Sequence, residues 1–323
     1  MTSPQDWVSS LNAYGSKSEP CFFLIDFEMK NVIVRPMHSL GDLSFEFNGV
    51  NGGNYIPSEI SRKVLLNKYP IDYKNYLGQF MTVQQHIKYG NSFLINLTHK
   101  TPIDLNMSLK EIYACTNARY KLLFEDQFVM FSPESFIQIE NNVVSTYPMK
   151  GTIDAEIENA RELILADLKE AAEHYTIVDL LRNDLSRIAK KVEVVQFRYI
   201  DEIITEKGKL LQVSSKISGV LPDNWHKSMG DMLLKMLPAG SISGAPKDKT
   251  VAIIEDVEVI PRNYYTGIAG IFDGKNLDCG VCIRFIEQEQ NALYFRSGCG
   301  ITSMSDPLLE YNEMINKIYV PVG

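Results

Sequence analysis

The spacing of strand-forming runs restricts this chain's fold more than any other feature. Cys21–Ile25, Asn31–Val34, Ser92–Thr98, Lys121–Phe131, Val192–Gln196, Leu210–Ile217, Gly267–Phe272, Asp278–Phe285 and Ala292–Ser297 all read as strands. Helical patterning is rarer. Leu77, Phe80, Val83 and Ile87 recur at helical spacing from Tyr73 to Lys88, before Gly90. Residues 156 to about 189 read as one long helix, with Ile157, Ile164, Leu168, Ile177, Leu180 and Leu181 on or near its apolar side. A last helix runs from Pro307 to Tyr319, and Asn48–Asn54 reads as an irregular loop. Strands and helices do not alternate as regular βαβ units would require. The pattern therefore predicts an α+β fold with large, mostly antiparallel sheets.

With 323 residues, 45% of them hydrophobic, the chain can bury a large core in one domain or two. It shows no internal repeat and no Pro/Ser-rich linker. The formal charge of −8 without a dense Lys/Arg block argues against a nucleic-acid partner. The N-terminus lacks a charged region followed by an apolar core, and no apolar run reaches membrane-spanning length. An odd count of five cysteines suggests reduced thiols. These features predict a cytoplasmic protein with no membrane contact. Cys279 and Cys282, in an apolar run without a second pair, read as core packing.

Glu134 and Lys150 stand at opposite ends of what reads as one β-hairpin turning at Asn141-Asn142. A two-residue turn places Lys150 opposite Pro133, and a three-residue turn places it opposite Glu134. Either way a carboxylate lies near a lysine, and a base beside an amine is one route to a nucleophile. On the last helix, capped by Asp306 with Pro307 at its first position, Glu310, Glu313 and Lys317 share a face. That face is either a solvated one with a Glu313–Lys317 pair or a carboxylate set for a hard cation. Glu173 enters the most apolar part of a helix, where a carboxylate needs a metal, a cation or a water chain. His174 reads as structural, and Arg182-Asn183-Asp184 as a buried scaffolding network. The stretch from Pro238 to Lys247 is a glycine/serine segment leading into a helix, either an anion site or a plain loop. Gly298-Cys-Gly-Ile301 follows a strand and lets backbone amides approach a ligand. Arg284, in an apolar strand, is suited to gripping a carboxylate bidentately.

In their joint order these segments resemble the chorismate-utilising enzymes, and within that family its aminodeoxychorismate synthase branch. The matching segments are Ser132-Pro-Glu134, Pro148-Met-Lys-Gly-Thr152, Glu173 with Ile177–Asp184, Gly240–Lys247, Tyr265-Thr-Gly267, Ile283-Arg284, Gly298–Ile301, and Glu310–Glu313 with Lys317. They run from about residue 73 to the C-terminus. The resemblance implies a layered α/β/β/α sandwich forming a single chorismate-binding domain over 1–323, with 1–72 as a shortened N-terminal part. It implies Lys150 as nucleophile and Glu134 as its base, with Mg2+ held by Glu173 and Glu313 and Glu310 close by. Substrate would be held by Thr152, Gly240, Ser241, Ser243, Gly244, Tyr265, Gly267, Arg284, Gly298, Gly300 and Lys317. The implied reaction joins chorismate and ammonia into 4-amino-4-deoxychorismate for 4-aminobenzoate and folate synthesis, and a separate glutamine amidotransferase subunit would supply the ammonia. Anthranilate synthase component I, which carries alanine at the Lys150 position, and a non-catalytic chorismate-binding subunit are the rivals. Leu94 stands where relatives often have glutamine, or lysine in isochorismate-type members. Leucine cannot do acid/base work, which disfavours isochorismate synthesis. The proline/arginine run that usually follows Gly-Thr is replaced here by Ile153-Asp154-Ala155.

Overall fold

The computed structural model of the chain describes residues 4–55, 63–205 and 208–321. Its framework is two nine-stranded sheets. In the first, the strands run in the order Met149–Asp154, Gly208–Val220, Val143–Thr146, Ser135–Glu140, Leu277–Val281, Ile268–Phe272, Cys21–Ile25 and Val32–Pro36, with Lys190–Thr205 also paired to Gly208–Val220. In the second they run Gly244–Ala245, Leu94–Leu105, Ala292–Ile301, Phe285–Glu289, Phe128–Ser132, Tyr120–Phe124, Leu43–Phe47 and Val50–Gly53, with Leu66–Lys68 beside Leu94–Leu105. Neighbouring strands are antiparallel throughout.

Side chains alternate across a strand, so a strand buried on both faces feeds two cores. Phe22 and Leu24 join Phe45, Phe47, Leu122, Phe128, Met130 and Ile271 in a cluster between the sheets, where the Phe22 and Phe45 rings stack at 5.4 Å. Phe23 and Ile25 point the other way, into a core shared with Trp7, Leu11, Ile177, Leu181 and Leu233 of the helices. Leu123, Val129 and Phe131 face a third cluster with Ile112 of the helix Leu109–Cys115. Helices thus cover both outer faces, and the layered α/β/β/α sandwich is present. Central strands such as Phe128–Ser132 are buried end to end, which is why they read as continuous apolar runs.

Several boundaries differ from the sequence reading for identifiable reasons. The Tyr73–Lys88 helix is as expected, and Asp306 caps the last helix by accepting from the Leu308 and Leu309 N–H groups. That helix ends at Asn316, short of Tyr319. Asn48–Asn54 is a hairpin rather than a loop, since Asn48 and Gly49 adopt positive φ (48° and 83°), as a tight two-residue turn requires. The helix expected over 156–189 is two, Ala160–Ala166 and Leu168–Ser186. Asp167 divides them, extended in backbone and accepting from the Glu170 N–H as an N-cap. A further helix, Pro4–Lys17, opens the chain. Cys279 and Cys282 are core residues.

Of the buried network expected at Arg182-Asn183-Asp184 only Asp184 is buried, paired with Lys247 near the end of the Leu168–Ser186 helix, while Arg182 and Asn183 are exposed and bond to Asp179. Their side chains meet at 3.0 Å, and the ammonium also donates to the Met236 carbonyl at 2.6 Å. Truncating one partner strands the other charge, so Asp184→Ala is expected to cost about 3–5 kcal/mol. Pairing Asp184→Leu with Lys247→Met should recover most of that loss. Urea denaturation of the single and double variants checks this, and equal destabilisation of both would argue against the pair's role.

Candidate active site

The turn at Asn141-Asn142 has two residues, both at positive φ (51° and 63°), and sets Val143 opposite Glu140. The hairpin does not reach Lys150. Pro148 brings no N–H to a ladder, and beyond it Met149–Asp154 pairs with Gly208–Val220, placing Lys150 opposite Val213. Glu134 and Lys150 are therefore not cross-strand neighbours, and the single-hairpin expectation is corrected. The register slips between Lys150 and Thr152, with Gly151 between them at φ 77°. This is a β-bulge, a device that re-aims side chains and is enriched beside active sites. Glycine meets its left-handed backbone without strain.

So presented, the Lys150 ammonium lies 2.8 Å from a carboxylate oxygen of Glu173. Glu173 is almost fully buried on the Leu168–Ser186 helix. Burial works to lower the Lys150 pKa. Glu173, followed by Glu170 and Glu313, outweighs it and holds the group above the ordinary lysine value. Gly300 borders the Lys150 side of the pocket, since a Cβ there would sit 3.7 Å from the ammonium nitrogen and 3.1 Å from a Leu94 methyl. Leu94 thus closes against the lysine pocket with an apolar side chain.

Glu134 feels the charge of Lys150 as well. Burial raises its pKa, while a hydrogen bond from Ser241 and the charges of Arg284, Lys150 and Lys317 pull it down without cancelling the rise. Lys150 thus pairs with one carboxyl, Glu173, and lies in the field of another, Glu134, that burial biases towards holding its proton. Lys317 donates to the Gly298 carbonyl at 3.0 Å and pairs with Glu313 at 2.6 Å. Glu310, on the same helix face, is buried.

One acidic group escaped the sequence reading. Glu170 lies one helical turn before Glu173, a spacing that could have revealed it. Its pKa is raised first by burial and then by Glu173 and Glu313. Carboxylates from two helices therefore crowd one pocket. Among the described residues no three His, Cys, Asp or Glu side chains form a ready-made metal cluster. The donor chemistry nevertheless fits a hard cation, since every candidate ligand is a carboxylate oxygen and Mg2+ commonly takes one or two of these with waters and substrate oxygens.

The remaining predicted residues divide. Arg284 and Tyr265 lie in the field of this pocket. Arg284 is not within a strand: it links Leu277–Val281 to Phe285–Glu289 at φ 52°. Tyr265 is buried edge-to-face against Phe285, and burial pushes its phenol up to about 12. Thr152 is exposed on its strand. Gly298 and Gly300 belong to the strand Ala292–Ile301, opposite Thr98 and Asn96, so the amide loop expected there is instead sheet. The glycine/serine segment also folds further than expected, into a short helix Gly240–Ser243 and a strand Gly244–Ala245 paired with Leu94 and Ile95. Pro246 caps the next helix rather than entering its first turn. Gly240 packs against Leu180 and Asp184, and Gly267 against the Ile25 carbonyl. The Ser243 hydroxyl is buried and donates to the Ala239 carbonyl. His174 is buried against Ser215 at 2.7 Å, and burial lowers its pKa to about 4, so the imidazole is neutral and structural.

Residues 55–323 match the family described as chorismate binding enzyme. Uncharacterized PabA-like proteins of Pasteurella multocida and Haemophilus influenzae are each 48% identical to this chain; the first alignment covers 98% of both chains, the second 98% of this chain and 97% of its relative. Anthranilate synthase component 1 of Acetivibrio thermocellus is 31% identical over 76% of this chain and 52% of its own. In structure, an isochorismate synthase (DhbC) from Bacillus anthracis superimposes with a TM-score of 0.71 at 18% identity, covering 98% of this chain and 86% of its own.

Glu173→Gln removes the nearest charge that keeps Lys150 protonated and leaves burial opposed by the weaker influences of Glu170 and Glu313. The lysine pKa should fall. Acylation of Lys150 by an amine-reactive reagent, followed by mass spectrometry across pH, should therefore begin at lower pH in the variant. An unchanged profile would show that Glu173 does not govern this lysine.

Proposed function

This chain belongs to the chorismate binding enzyme family, and on that premise we propose that it is the synthase component that converts chorismate and ammonia to 4-amino-4-deoxychorismate, for 4-aminobenzoate and folate synthesis. The observation that carries this reading is Lys150, aimed by the Gly151 bulge into the carboxylate pocket at the position where the resemblance puts alanine in anthranilate synthases. A primary amine there can form a bond to C2 of the substrate as the C4 hydroxyl departs. Ammonia then adds at C4 and the lysine leaves C2, restoring the free enzyme.

The two carboxyls suit different duties. Glu134, raised by burial, can hold a proton, give it to the departing hydroxyl and afterwards accept one from the incoming ammonia. Glu173 keeps Lys150 in place, and the amine must shed its proton before it can attack. Glu173, Glu310 and Glu313 would hold Mg2+, whose chemistry there is neutralisation of substrate carboxylate charge. Arg284 would grip a carboxylate of the substrate. Leu94 brings no acid or base to the lysine side, which favours addition of the amine over addition of activated water. Four of the chain's five thiols are poor candidates for glutamine hydrolysis, since burial pushes Cys21 and Cys299 up to about 12 and raises Cys279 and Cys282 as well. A separate amidotransferase subunit supplying ammonia fits that chemistry.

With chorismate, Mg2+ and a high concentration of ammonium, the isolated chain should make 4-amino-4-deoxychorismate, identified by mass spectrometry, and should not use glutamine. Anthranilate as the product would favour the rival synthase, and binding without turnover would favour a non-catalytic subunit. Lys150→Ala should lose the C4 product, with any residual amination shifting towards C2. Lys150→Arg should also fail, because guanidinium stays protonated.

Metal dependence is a separate expectation. A chelator should abolish turnover, and Glu313→Gln should raise the Mg2+ concentration needed for half-maximal rate. Undiminished activity in chelator would remove the metal from this scheme.

A further inference from the structure

Arg284 has an unusual setting. Its backbone is left-handed at φ 52°, a conformation that costs a non-glycine residue energy and tends to be kept at functional sites. The Phe131 N–H donates to its carbonyl at 3.0 Å and fixes the bend. The side chain then reaches the segment after the last helix. Its guanidinium lies 5.5 Å from the Tyr319 ring centroid, and its Nε–H donates to the Tyr319 hydroxyl at 3.4 Å.

The Tyr319 backbone is held on both sides. Ile318 is buried in the cluster outside the second sheet, with Val320 packed against it, so Tyr319 between them turns outward. Lys68 donates to the Ile315 and Ile318 carbonyls at 2.8 and 3.2 Å. The Asn117 N–H donates to the Pro321 carbonyl at 3.3 Å. The ring therefore stands on an anchored strap.

We propose that Tyr319 is a positioning residue for Arg284, which it orients to receive a substrate carboxylate end-on. This rests on the functional reading above, in which Arg284 holds substrate. With the ring centroid 5.5 Å away and Nε engaged by the phenol, the guanidinium keeps its two terminal nitrogens as the fork. Among the described residues those nitrogens make no hydrogen bond. A carboxylate can grip guanidinium through the Nε side or the Nη1/Nη2 end. Tyr319 blocks the first mode and pre-organises the second, so less side-chain entropy is lost on binding.

The test is chorismate binding, measured by calorimetry on the full chain with Mg2+ present, for wild type, Tyr319→Phe, Tyr319→Ala, Arg284→Lys and the Arg284→Lys/Tyr319→Ala double variant. Tyr319→Ala should weaken binding roughly fivefold to tenfold, the scale of a lost cation–π contact, with kcat changed much less than KM. Tyr319→Phe keeps the ring and should lose less. Tyr319→Ala should add nothing in the Arg284→Lys background, a coupling that a merely structural role would not produce. Wild-type affinity in Tyr319→Ala, or a fully additive loss in the double variant, overturns the assignment while leaving the functional reading intact. A wild-type chain that binds no chorismate overturns both.

Discussion

The face-to-face stacking of the two antiparallel sheets is the constraint on which the rest of the molecule depends. Because strands such as Cys21–Ile25, Tyr120–Phe124 and Phe128–Ser132 are buried on both faces, their backbones are hidden and their registers tightly specified. A one-residue slip would move Phe22 and Leu24 out of the inter-sheet layer and exchange them with Phe23 and Ile25. That rigidity lets residues far apart in sequence hold fixed places around one pocket. Lys150 comes from a strand of the first sheet, Gly300 from the second, Glu173 from one helix and Glu313 from another.

Within the pocket, electrostatics rather than shape sets the character of each group. Five carboxyls and two lysines share a partly buried space, and burial with mutual charge moves Glu134, Glu170 and Lys150 from their ordinary values. Glu170 and Glu134 are pushed towards their neutral forms, burial leading in both cases. Lys150 is kept charged because an ion pair outweighs burial. Such opposed shifts among neighbouring groups are how a site assigns acid and base duties.

Much of this was legible in the sequence, and the failures have physical causes. The residues of Pro-x-Lys-Gly-Thr, the Glu-x-x-Glu helix face and the long apolar strands were recognisable one by one. Lys150 was mispaired because a hairpin argument uses local register, whereas the chain leaves the hairpin at Pro148 for a strand some 60 residues away in sequence. Gly298–Ile301 and Gly244–Ala245 looked like loops because glycine is depleted in strands, yet tertiary pairing with Leu94–Leu105 overrode that preference. The split at Asp167 was hidden by apolar spacing that continued on both sides of a capping residue. The Asn48-Gly49 hairpin carried a strong turn signal that the surrounding glycines obscured.

The bulge at Gly151 has a consequence for how such a protein diversifies. The backbone that presents position 150 is determined by the glycine that follows it and by the partner strand Gly208–Val220, not by the lysine itself. The bend that aims position 150 is therefore set apart from the side chain carried there, although changing that side chain removes the ammonium facing the buried Glu173. A lineage with this framework can keep the same presenting backbone while it rewrites position 150 together with the carboxylate that faces it.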